Sequence, residues 1–202
     1  MARYIGPKQR LQRRIGEDLG LKTNALKTAK RINVIPGQHG HKRSRRLSDY
    51  GVQLKEKQKI KFTYGVLEKQ LKKLFNMAKT NPLGTGLALL VFLERRLDNV
   101  VYRLGWAPTR ASARQLVNHG HVRVNGKKMD IPSYLVKADD VIELKKESIN
   151  IPAISAVFNN EGHLVPEWLE RKHNLAKVTR FPERSEIDGK INEQLVVEYY
   201  SR

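Results

Sequence analysis

Arg110 and Arg114 stand four residues apart, and Arg123, Lys127 and Lys128 follow within fourteen residues. No Asp or Glu occurs between Asp98 and Asp130. Cations held at fixed spacing on folded elements, with no acid among them, suit the binding of phosphate groups. Residues four apart on a helix share a face, and Arg95 and Arg103 lie just upstream, ready to flank it. A helix start adds N–H groups and a partial positive charge. Thr109 is the natural cap for such a start. Gln115, His119, His121 and Asn125 add hydrogen-bonding groups to the same segment.

These side chains need elements to hold them. The spacing of Ala113, Leu116 and Val117 predicts a helix after Thr109, ended by Gly120. "HVRVNGKKMD" predicts a hairpin about Asn125-Gly126, because both central residues of a type I′ turn take positive φ. Leu93, Leu97, Val100, Val101 and Leu104 predict one long helix from about Thr85 to Leu104, closed by Gly105. That helix would place Arg95, Asn99 and Arg103 together on its opposite face. Ser48 reads as the cap of an earlier helix, and "YGVLEKQLKKLFNMAK" as an amphipathic one ended by "TNPLGTG". Downstream, "VIEL" and "AISAVFN" predict strands, "VPEWLERKHN" a short helix and "INEQLVVEYYSR" a final helix.

The 202 residues carry 39 Lys and Arg against 20 Asp and Glu, a formal charge of +19. The surplus is uneven. Residues 1–61 hold 17 basic and 4 acidic side chains, residues 62–128 hold 12 and 3, and residues 129–202 hold 10 and 13. Such a surplus repels itself unless an anionic partner neutralises it. A membrane is the poorer partner. The longest apolar run, Gly86 to Leu93, is too short to span one. The basic helix has Ala, Leu and Val on its apolar side rather than the Trp and Phe of a surface anchor. The N-terminus lacks an apolar signal core, so secretion is not expected. Nothing suggests a dimer reading paired DNA half-sites. RNA recognised by its shape fits best.

Residues 1–46 have few apolar positions and no sustained period. Arg3, Lys8, Arg10, Arg13, Arg14, His39, Lys42, Arg43, Arg45 and Arg46 are further candidates for RNA contact. Gly and Pro interrupt these basic clusters, and Pro36-Gly37 suits a type II turn. The expectation is a basic, irregular arm, mobile alone and ordered on its partner.

The stretch "LERRLDNVVYRLGWAPTRASARQLVNHGHVRVNGKKMDIPSYLVKADDVIEL" resembles the RNA-binding module named after bacterial ribosomal small-subunit protein four. "PGQHG" at 36–40 and the ending "NEQLVVEYYSR" are similar to the N-terminal signature and the C-terminus of the bacterial and plastid family of that ribosomal protein. The resemblance implies an α+β fold: a basic arm over 1–46, a helical domain over 47–92 completed by 180–202, and an inserted RNA-binding module over 93–179 with helices and an antiparallel sheet. It implies a structural component of the small subunit that binds small-subunit rRNA, nucleates assembly of the subunit body and influences decoding accuracy. The implied neighbours are ribosomal proteins three, five and twelve and the region where messenger RNA enters. The implied location is the ribosome of the cytoplasm or of a plastid stroma. Within that resemblance the acidic last third, with Glu183, Glu186 and Asp188, is the surface expected to face protein five.

Many bacterial members carry a four-cysteine zinc site in the arm. Here Gln9 and Gln12 occupy the spacing of a CxxC pair and the chain has no Cys, so no metal is expected. No cofactor or small-molecule substrate is expected either. There is no P-loop, no nucleotide-binding glycine fingerprint after a strand and no nucleophile elbow. The residues after 150 are too few for a modifying domain. The chain reads as a binding protein and not as an enzyme. A ribosome-associated factor using the same module is the alternative.

Overall fold

Pro7 and Gly16 bracket the first helix, α1 (Lys8–Ile15). Gly16 takes φ +78° and returns its N–H to the Gln12 carbonyl, the left-handed stop that glycine makes cheaply. In the computed structural model, which describes residues 3–41, 46–158 and 163–202, the arm is therefore not irregular throughout. Leu11, Ile15 and Leu19 are buried, and a second short helix, α2 (Ala25–Ala29), follows. Apolar side chains four residues apart were enough to anchor a helix that the surrounding basic residues conceal. Gly37 takes φ +120°, but the hydrogen bond that closes a turn here runs from the Gly40 N–H to the Gly37 carbonyl, so the turn follows Pro36-Gly37 rather than centring on them. Lys42, Arg43 and Arg45 lie outside the described residues.

The chain divides into two units, Met1–Leu89 with Gly189–Arg202, and Leu90–Asp188. In the first, α3 (Asp49–Thr63) starts at Ser48, whose hydroxyl accepts from the Gly51 N–H. Gly65, at φ +61°, turns the chain into α4 (Glu68–Ala78). The single amphipathic helix expected from Tyr64 onward is thus a turn and then a helix. Leu71, Leu74, Phe75 and Ala78 form its buried face. The closing helix α10 (Glu193–Ser201), capped by Asn192, packs on α3.

The long helix expected from Thr85 to Leu104 is two helices, α5 (Thr85–Glu94) and α6 (Leu97–Arg103). Arg96 is extended between them and bridges Leu135. The break lets another segment pair with it: Val136 N–H donates to the Arg95 carbonyl, and Leu97 N–H to that of Tyr134. Neither Gly nor Pro marks the site. Arg95, Asn99 and Arg103 therefore do not lie in one helical row.

Thr109 caps α7 (Arg110–Asn118), and Gly120 at φ +70° ends it. The hairpin about Asn125 (φ +50°) and Gly126 (φ +77°) joins β1 (Val122–Val124) to β2 (Lys127–Lys128). With β3 (Val141–Leu144), β4 (Leu169–Lys172) and β5 (Leu175–Val178) they form an antiparallel sheet in the order β2-β1-β3-β5-β4. One face is buried under α6, α7 and α9 through Val122, Val124, Ile142, Leu144, Ala176 and Val178. Arg123, Val141 and Lys177 point to the other side.

Two expectations between residues 150 and 180 are corrected. "AISAVFN" is not a strand. Pro152 opens α9 (Pro152–Phe158), after a short α8 (Lys146–Ile149), and its buried Ile154 and Phe158 are a helical turn apart. "VPEWLERKHN" is not a helix. Its charged run forms edge strand β4, where Lys and Glu side chains reach solvent and discourage further pairing. A two-residue turn at His173-Asn174 leads into β5, with Lys172 paired to Leu175.

Candidate nucleic-acid interface

The arginines of the second unit sort by what holds them. Arg96 donates to Asp98 from Nε at 3.1 Å and from Nη2 at 2.7 Å. Arg114 is only 4% exposed, and its Nη1 lies 3.8 Å from the same carboxylate. Arg103 forks onto Glu94, Nε at 3.0 Å and Nη2 at 2.7 Å, and Glu94 is buried. The expectation that Arg114 projects from an open polar face is corrected, while Arg103 stays partly exposed with its guanidinium forked onto Glu94. Arg114 does lie four residues from Arg110, but α6 packs against α7 there and brings Asp98 to it.

Arg95 and Arg110 have a different mount. Arg110 donates from Nε to Asn99 Oδ1 at 2.7 Å, and its guanidinium lies 4.5 Å from the centre of the Tyr102 ring. Arg95 donates from Nε to the Val136 carbonyl at 2.8 Å and stacks 4.1 Å from the Phe181 ring. Burial lowers the pKa of Arg95 from its ordinary value. Both are partly exposed.

The hairpin supplies exposed charge. Arg123 pairs across the ladder with Lys128, and Arg123, Lys127 and Lys128 are exposed. Asn125 has an internal task. Its Nδ2 donates to Asp140 Oδ1 and its Oδ1 accepts from the Val141 N–H, both at 2.9 Å. Asp140 also accepts from the Lys137 N–H at 2.8 Å and from the Tyr134 hydroxyl at 3.4 Å. Burial first, and Asp140 second, push the Tyr134 pKa up.

The remaining candidates fall into two groups. Gln115 and His119 are exposed at the end of α7. His121 shares a hydrogen bond between Nδ1 and Ser148 Oγ at 2.8 Å, and burial, then His119 and Lys145, lower its pKa. Thr109 spends its hydroxyl on the Ser112 N–H. In the first unit, Arg3, Arg10, Arg14, His39 and Arg46 are exposed. Arg13 ties α1 to the carbonyls of Val34 and Ile35. Lys8 is half-buried, and burial, then Arg3 and Lys22, lower its pKa.

Sequence reasoning missed Glu94, Asp98, Asn99 and Asp140, which hold the cationic side chains and the hairpin from beneath. The one available signal was that Asp98 bounds the acid-free stretch. It also missed Lys69, Lys72 and Lys73, exposed on α4. Among the described residues no cluster of three or more His, Asp or Glu is placed to hold a metal, and no helix is long and apolar enough to cross a membrane. The arrangement presents cations to an anion.

Residues 3–94 match the family described as Ribosomal protein S4/S9 N-terminal domain, and residues 95–142 match the S4 domain. The change from one to the other falls at the break between α5 and α6. The small ribosomal subunit protein uS4 of Aquifex aeolicus is 53% identical, with both chains covered in full. Those of Chloroflexus aurantiacus and Parabacteroides distasonis are 50% and 48% identical, again over the whole of both chains. The chain belongs to the uS4 family. The resemblance seen in its start, middle and end thus extends along its full length. The uS4 family is one of ribosomal structural proteins and not of enzymes. This uS4 chain has no Cys.

Proposed function

We propose that this chain is a structural component of the small ribosomal subunit and binds the subunit's RNA directly. The observation that carries the reading is the exposed hairpin cations Arg123, Lys127 and Lys128, with Arg110 partly exposed at the start of α7, in a region matched to the S4 domain of a chain similar to uS4 proteins along its whole length. Arg110, Gln115, His119, Arg123, Lys127 and Lys128 are the module's contacts in this reading. Arg3, Arg10, Arg14, His39 and Arg46 extend them along the arm, with Lys42, Arg43 and Arg45 beside them in the sequence. The exposed lysines of α4 add a further cationic surface. Phosphates positioned by such side chains fix register without reading bases.

In this reading the chain nucleates assembly of the subunit body and influences decoding accuracy. Its neighbours are proteins three, five and twelve and the region where messenger RNA enters. It works in the cytoplasm or in a plastid stroma. The test is a footprint of the purified chain on naked small-subunit rRNA, joined to co-sedimentation. Protection at a discrete RNA site, and one copy per subunit after a high-salt wash, support the reading. No discrete protection, or loss in the wash, points instead to a factor that visits the ribosome.

A further inference from the structure

Asn99 is 2% exposed and sits between two partners of opposite charge. Its Nδ2 donates to the Glu94 carbonyl at 3.0 Å and to Glu94 Oε2 at 2.6 Å. That fixes the amide, so Oδ1 points the other way and accepts from Arg110 Nε at 2.7 Å. The Glu94 carboxylate is itself gripped by Arg103. The result is a connected row, Arg103, Glu94, Asn99, Arg110, with Tyr102 stacked against the last guanidinium.

The choice of an amide has an electrostatic reason. A carboxylate in place of the Asn99 amide would cancel more of the charge that an incoming phosphate must feel. Asn99 orients Arg110 through a neutral oxygen, and the acid behind it is offset by Arg103. An arginine held by Nε on one edge presents the opposite edge of its planar fork away from the holder. Holding it also removes rotamer freedom before binding.

We propose that Asn99 is a positioning residue that sets the Arg110 guanidinium in the pose in which it meets an RNA phosphate. This rests on the RNA-binding reading of the module. Asn99 touches no RNA in this scheme and acts only through Arg110.

The test is a double-mutant cycle on the full chain with naked small-subunit rRNA as probe, titrated at several salt concentrations. The variants are Asn99→Leu, Arg110→Ala and the pair. Asn99→Leu should lose affinity to within about a factor of two of the Arg110→Ala loss, the usual margin of such cycles. Each should make the salt slope shallower by roughly 0.7–0.9, one phosphate contact. The pair should bind no more weakly than Arg110→Ala alone. A merely structural Asn99 predicts losses that multiply in the pair and an unchanged slope in Asn99→Leu, and either overturns the proposal. If Arg110→Ala keeps wild-type affinity and slope, the RNA reading of Arg110 fails and takes the proposal with it. If Arg110→Ala is weak while Asn99→Leu is not, only the positioning role fails. Should Asn99→Leu not fold, Asn99→Ala enters the same cycle, with coupling to Arg110 expected and independence counting against the proposal.

Discussion

Arg96 grips Asp98 through two hydrogen bonds while their side chains are only 3% and 5% exposed. Arg114, equally buried, brings Nη1 to 3.8 Å from the same carboxylate oxygen that Arg96 Nη2 holds. Removing the acid leaves two buried guanidinium groups without the carboxylate beside them. Asp98→Ala should therefore destabilise the module by about 3–5 kcal/mol. Lys177→Gln, which breaks the exposed pair with Asp139, should cost under about 1 kcal/mol. Denaturant unfolding of both variants checks the contrast, and equal midpoints would remove Asp98 from the structural core.

Arg114 and Arg123 should separate binding from folding. Arg123→Ala should leave unfolding unchanged and make the salt slope of RNA binding shallower by roughly 0.7–0.9. Arg114→Ala strands Asp98 beside one partner instead of two and should first lower the unfolding midpoint. Parallel salt titrations and unfolding curves distinguish them. A shallower slope for Arg114→Ala at wild-type stability would return that side chain to the RNA surface.

The hairpin should depend on Asn125 more than on its neighbours. Asn125→Ala places a Cβ without a compensating amide at φ +50° and loses the bonds to Asp140 and Val141. A loss of about 1–3 kcal/mol is expected. Asn125→Gly restores the backbone freedom but not the bonds, so it should fall between alanine and wild type. Amide exchange at Val141 is the direct readout, because its N–H loses its acceptor in both variants. Unaltered protection there would refute the clamp.

Glu68 should give the first unit an acid-sensitive element. Burial raises its pKa, but hydrogen bonds from Lys57, Tyr200 and Lys61 outweigh that and hold it below the ordinary 4.5. Burial, then the Glu68 bond, pushes the Tyr200 phenol up. A carboxyl with a depressed folded pKa adds stability above its unfolded value and loses it as pH falls through the folded one. Stability should thus begin to fall below about pH 4.5, the ordinary value. Glu68→Gln should flatten that part of the profile. Unfolding midpoints followed from neutral pH into acid test this, and parallel profiles for the two chains would count against it.

How much of this was readable beforehand depends on the range of the deciding interaction. The Thr109 cap, the Asn125-Gly126 turn, the Ser48 cap and the closing helix rest on contacts within a few residues, and the chain displays them directly. The break at Arg95-Arg96 rests on pairing with Tyr134 and Val136, some forty residues away, and local spacing carries no trace of it. Strand β4 is charged enough to read as a helix because its exposed edge needs that charge. The arginines show the same limit. Arg110 and Arg114 are alike as letters and share a helix face, yet one is mounted on an amide and the other is buried beside an acid. Only the packing of α6 on α7 separates them.

Unit 1 is built from Met1–Leu89 and Gly189–Arg202, on either side of unit 2 in the chain. Helix α10 lies against α3, with Gln53 bonded to Glu198, Lys57 over the Tyr199 ring and Tyr50 beside it. During synthesis α3 emerges long before α10 does. Every strand of the sheet and helices α6 to α9 lie between them and are available to fold in the interval. Helix α3 therefore lacks its α10 cover until residues made after the whole of the inserted unit have been added. The unit whose residues are made first is closed by residues made after those of the other unit.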